Sequence, residues 1–99
     1  MAKKKLKPIH PGEVLREEFL KPFGISVEGL ANSIGVSAQN IREITAEKRS
    51  ITADTALRLA KYFGTSAQFW LGLQSDYDLD ITRAKLGSKL EKEIVPLAA

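Results

Sequence analysis

Ninety-nine residues, 43% hydrophobic and 27% charged, suffice for one modest core and not for two. The chain has no cysteine, which excludes disulfides and thiolate metal sites, and no apolar run approaches the roughly 20 residues that span a bilayer. The net charge of +3 is a poor guide to partners, because Lys3, Lys4, Lys5 and Lys7 precede any patterned segment. Without them eleven basic residues face twelve acidic ones, so the patterned part is close to neutral. Residues 1–8 read as a basic, disordered tail, which serves either as a solubilising end or as a source of non-specific attraction to phosphate. No apolar stretch follows its lysines, so a signal peptide is not expected. Together with the missing cysteines this predicts a cytoplasmic protein.

In chain order the apolar spacing gives a succession of short helices. Pro11 and "GEVLREEFL" open the first, with Leu15 and Phe19 one turn apart, and "KPFG" (Lys21 to Gly24) is expected to stop it. Ser26 caps a second helix carrying Val27, Leu30, Ala31 and Ile34 at helical spacing. Gly35 suits a left-handed C-terminal position, Val36 plugs the core and Ser37 caps a third helix that buries Ile41 and Ile44. "EKRSI" reads as a loop. Thr52 caps a fourth helix whose predicted stripe is Ala53, Ala56, Leu57, Ala60 and Phe63, ending at Gly64. Ser66 caps a fifth, with Phe69, Leu73 and Tyr77 in register. Ser88 to Glu91 has capping-box form before Leu90 and Ile94. Strand alternation is nearly absent, so the expected class is all-α, with five or six helices.

The stretch "LANSIGVSAQNIREI" (Leu30 to Ile44) breaks a good helix and restarts it at once. Two helices joined by a three-residue turn containing Gly make a helix-turn-helix. Such a turn lets the N-terminal half of the third helix stand clear of the core. A B-DNA major groove about 12 Å wide admits one helix, and its base edges are read by amides and guanidinium groups. Gln39, Asn40 and Arg42 supply those groups, and Lys48 and Arg49 follow in the next loop, where cations would meet phosphate.

With these segments in view, residues 9 to about 75 resemble the Xre/Cro (phage-repressor)-like helix-turn-helix family, and more narrowly the HigA-type (VapI-like) antitoxins. The resemblance rests on "HPGEVLREEFL", "LANSIGVSAQNIREI", "KRSIT", "ALRLAKYFGTS" and "FWLGLQSDYDL". It implies a helix-turn-helix domain over residues 9–79 and leaves 80–99 as a C-terminal helical extension. It implies a dimeric autorepressor that binds a palindromic operator and neutralises a cognate, HigB-like toxin that cleaves mRNA. Carried onto this chain, it implies base readout by Ala38, Gln39, Asn40, Arg42 and Glu43, and phosphate contact by Ser26, Ser37, Lys48 and Arg49. The family commonly places Gly just before the Lys-Arg pair, where this chain has Glu47. No cofactor and no membrane partner is implied.

Other readings stay open at this level. One is a prophage-type repressor without a toxin; another is an interaction module that has lost DNA binding. Phe69, Trp70, Leu71 and Leu73 are either core or a dimer interface. Asp76, Asp78 and Asp80 are either a solvated helix end or a docking patch for a basic partner. His10, the only histidine, has no second histidine or thiol to share a metal with and no frame for catalysis. It is expected to fix the start of the first helix. Nothing in the chain assembles a nucleophile, base and oxyanion site, so no catalytic residue and no enzyme is expected.

Overall fold

The computed structural model describes residues 7–98, which form six helices and no strand. Most of the basic tail, including Lys3, Lys4 and Lys5, lies outside the described residues.

Helix α1 is one continuous run in three parts. It starts as α-helix (Pro11–Val14), widens to a π-helical segment (Leu15–Leu20) and closes as α-helix (Lys21–Phe23). His10 is its N-cap, with Nδ1 accepting the Gly12 N–H at 2.8 Å. The stop expected within Lys21 to Gly24 falls on Gly24, at φ 65°. The helix passes Lys21 and Pro22 through a π-turn: the Lys21 N–H bonds Arg16 O, five residues back, and Pro22 brings no N–H to misplace.

Local chemistry sets the next four helices. α2 (Val27–Ile34) is capped by Ser26 Oγ, which accepts the Gly29 N–H at 2.9 Å, and ends on left-handed Gly35. α3 (Ala38–Thr45) starts on Ser37, whose Oγ accepts the Asn40 N–H at 3.0 Å. α4 (Ala53–Phe63) starts on Thr52 and ends on Gly64; α5 (Ala67–Leu86) starts on Ser66. Each cap satisfies a donor that the first turn of a helix leaves free. α6 (Lys89–Glu93) is short, and Ser88 makes no side-chain cap bond. Its backbone, at ψ 3°, lacks the extended geometry that a capping box needs, so that expectation fails.

One core joins α1 to α5. Leu15, Leu30, Ile41, Ile44, Ala56, Leu59 and Trp70 are wholly buried in it. Each large apolar side chain so buried contributes about 1.5–3 kcal/mol relative to exposure. The α4 stripe is corrected here, and two further readings gain structural detail. The α4 stripe turns inward on Thr55, Ala56 and Leu59, while Leu57 is 62% exposed and Ala53 faces solvent. α5 passes unbroken through residue 80, so the boundary expected there lies inside a helix. Trp70 is 0% exposed, and its indole N–H donates to Thr65 Oγ1 at 2.8 Å; it belongs to the core of the single chain and cannot present a dimer face. Phe19, Phe63 and Phe69 pack around its ring.

Candidate nucleic-acid interface

The surface of interest is α3 with the loop that follows it. Ile41 and Ile44 root α3 in the core, and the Gly35-Val36-Ser37 turn joins it to α2. The remaining side chains are distributed unevenly. Gln39 and Arg42 are exposed, while Asn40 and Glu43 are half-buried. Glu43 is covered by its own partners Gln39 and Arg49. Ala38 is half-buried and its methyl packs against the core. The Asn40 Oδ1 is enclosed without a hydrogen-bond partner. An unsatisfied buried acceptor of this kind typically costs about 1–3 kcal/mol.

Two of the three cations of this face, Arg42 and Arg49, are held by carboxylates. Arg42 Nη1 meets Glu28 Oε2 at 2.8 Å, which ties α3 to α2. Glu43 accepts from Gln39 Nε2 at 2.8 Å, and its other oxygen takes Arg49 Nη2 at 2.6 Å. The Gln39 hydrogen bond first, and the Arg49 hydrogen bond second, hold the Glu43 carboxyl below the usual range. Lys48 and Arg49 are both exposed in the loop, beside α3. Among the described residues Lys48 has no carboxylate within ion-pair distance. Ser26 and Ser37 are exposed at the N-termini of α2 and α3. Their oxygens serve as caps, which leaves each O–H free to donate to an anion.

The other end of α3 is gripped by α1, which sequence reasoning did not anticipate. Arg16 Nη1 donates to Thr45 O, and its Nη2 lies 3.7 Å from Glu47 Oε2. Gly12 sits directly on Ile44: a Cβ added there would overlap the Ile44 carbonyl oxygen and lie 2.7 Å from its carbon. Glu47 adopts φ 64°, the only positive φ outside glycine among the described residues. It occupies the place where glycine would be at ease. Gln74 of α5, only 6% exposed, then accepts the Ile51 N–H on Oε1 at 2.8 Å and fixes the far end of the loop. It also donates to Asp78 at 3.0 Å. Asp76, Asp78 and Asp80 are all exposed on α5.

His10 is buried between α1 and α5, edge-on to Tyr77 with ring centroids 4.8 Å apart. Burial pushes its pKa down, against the pull of the Glu47 and Asp78 carboxylates. Of the remaining interface expectations, Phe69 is 39% exposed and Leu71 and Leu73 are half-buried. Among the described residues no group of side chains could hold a metal, and no helix is long and apolar enough to cross a membrane.

The comparisons with known proteins point the same way as this geometry. A helix-turn-helix family model matches residues 17–70. Virulence-associated protein I of Dichelobacter nodosus is 50% identical over 96 residues, spanning 97% of this chain and 87% of that protein. Antitoxin HigA-1 of Vibrio cholerae is 37% identical over 83 residues, 84% of this chain and 78% of the relative. The structure of Pseudomonas aeruginosa antitoxin HigA with higBA promoter superposes at a TM-score of 0.89 and 52% identity. That match covers 93% of this chain and 100% of the other. The chain therefore belongs to the Xre-like helix-turn-helix family, in the branch of the HigA antitoxins.

Proposed function

We propose that this protein is an antitoxin and autorepressor: it binds operator DNA through α3 and neutralises a cognate mRNA-cleaving toxin. The observation that carries the reading is a short, capped helix whose first turn exposes an amide, on a fold shared with an antitoxin solved with promoter DNA. It is a binding protein and not an enzyme.

In this reading the first turn of α3 enters the major groove. Gln39 reads a base edge, with Asn40 and the Ala38 methyl at the margin and Arg42 one turn on. Ser26, Ser37, Lys48 and Arg49 meet the phosphates on either side and set the register. Two chains act as a two-fold pair on a palindromic site, with recognition helices about 34 Å apart. Phe69, Leu71 and Leu73 are candidate contacts for that pair. The cytoplasm, where operator DNA is found, is the proposed location.

Fluorescence anisotropy with DNA from upstream of its own gene tests this. Gln39→Ala should cost about 1–3 kcal/mol on operator and almost nothing on random DNA. Replacing Lys48 and Arg49 by Gln should weaken binding to every sequence and flatten the slope of log K against log salt by about two units. Equal losses for Gln39→Ala on both DNAs would remove the base-reading role. Co-expression with the reading frame next to the gene tests the second activity: the chain should relieve that product's toxicity.

A further inference from the structure

We infer that Glu43 is a positioning residue for base readout: it holds the Gln39 amide in the one orientation that matches adenine. The inference rests on the operator-binding reading above and goes beyond it, because it assigns Glu43 a role through its neighbour.

Glu43 follows Gln39 by four residues, so the two stand on one face of α3, one turn apart. Glu43 Oε2 accepts from Gln39 Nε2 at 2.8 Å. Its Oε1 accepts from Arg49 Nε at 2.7 Å and lies 2.6 Å from Nη2. An ionised carboxylate only accepts hydrogen bonds, so it can hold only the NH2 end of a glutamine. The terminal torsion of Gln is otherwise broad and roughly two-fold, and a free amide would present either end. With one Nε2 hydrogen on Glu43, the other hydrogen and the Oε1 acceptor remain. That pair of groups is what the N7 acceptor and N6 donor of adenine require.

Arg49 completes the arrangement. A bare carboxylate near the groove would be repelled by phosphate, and the guanidinium on Oε1 offsets its charge. Both partners hold Glu43 in the ionised form that keeps the orientation. Glu43 is itself half-buried, whereas Gln39 is exposed in the first turn. Gln39 is therefore the better placed of the two to touch a base.

A double-mutant cycle tests the inference on the full chain. Operator fragments from its own promoter, each with one base pair replaced, would be titrated with wild type, Gln39→Ala, Glu43→Ala, Glu43→Gln and the Gln39→Ala/Glu43→Ala double variant. Glu43→Ala should lose roughly tenfold on the operator and relax the same A·T pair that Gln39→Ala relaxes. In the Gln39→Ala background the second change should add less than about twofold. Glu43→Gln keeps an acceptor for Gln39 but no charge for Arg49, so it should lie between wild type and Glu43→Ala. It also carries the test if Glu43→Ala does not fold. Additive losses, or relaxation at a different base pair, would overturn the inference and make Glu43 a reader itself. Failure of wild type to prefer its operator over random DNA would instead overturn the proposed function, and this inference with it.

Discussion

The seat of the recognition helix on α1 can be tested by one methyl group. In Gly12→Ala the new Cβ would overlap the Ile44 carbonyl oxygen and stand 2.7 Å from its carbon, where real Cβ atoms essentially never come within 3.0 Å. Both sides of this contact are helical backbone, so no side chain can swing aside. α1 and the end of α3 must separate by about 1 Å or more, which places the cost near the top of the overpacking range, about 3 kcal/mol. For a domain of this size that corresponds to a fall in Tm of about 12–24 °C. Gly72→Ala is the matched control: it lies inside α5 with nothing within 4 Å of the added Cβ. Removing a glycine from a helix interior should there stabilise by about 1 kcal/mol. Thermal melts followed by circular dichroism read both changes. Operator titration below the melting range should show Gly12→Ala losing specific affinity, because Ile44 belongs to α3. A Gly12→Ala protein that melts within about 2 °C of wild type would refute the α1–α3 contact.

Three further outcomes are expected. Glu47→Gly should relieve the positive φ, gaining about 1 kcal/mol against a few tenths for the long, half-buried Arg16 pair, and should tighten binding to all DNA sequences by removing a negative charge beside Lys48 and Arg49. Its check is paired urea melts and anisotropy. His10 has a lowered folded pKa, so the unfolded chain binds its proton first. Stability is then fully present above the unfolded value of 6.5 and is lost as pH falls through it toward the folded pKa. His10→Asn, which can still cap α1, should abolish that pH dependence in melts between about pH 7.5 and 5.5. Trp70→Ala should cost about 3–5 kcal/mol of folding stability in urea melts. Wild-type stability with weakened self-association would put Trp70 back at an interface.

What the sequence made legible was chemistry that acts over three or four residues. Ser26, Ser37, Thr52 and Ser66 cap where their hydroxyls suggest, and Gly35 and Gly64 turn left-handed where the stripes end. The all-α class and the turn before α3 follow from those signals. In α4 the apolar residues form two overlapping stripes, and only α1, α2 and α5 decide that Leu59 and not Leu57 is buried. The "SDYDLD" segment reads as a helix end because it is charged, yet no Gly or Pro follows it before Gly87. Of the candidate site, the exposure of Gln39, Lys48 and Arg49 was legible from residue type and placement. The Arg16 clamp was not, because it spans 29 residues, and neither was the Glu28 partner of Arg42. Gln74 carried a trace of its role as a polar residue within an apolar segment.

The proposed recognition helix, α3, has only eight residues. Isolated helices need about 12–15 residues to be even marginally populated in water, so this one has no independent existence. Its shape is on loan from α1, α2 and the loop pinned by Gln74. DNA reading is for that reason an all-or-none property of the folded chain. A cut in α1 or α5 that unseats the core should abolish operator recognition as completely as a cut in α3 itself, and no fragment should retain a fraction of it. Repression by such a protein would follow the concentration of intact, folded chains, without a partially active breakdown product to blur the response.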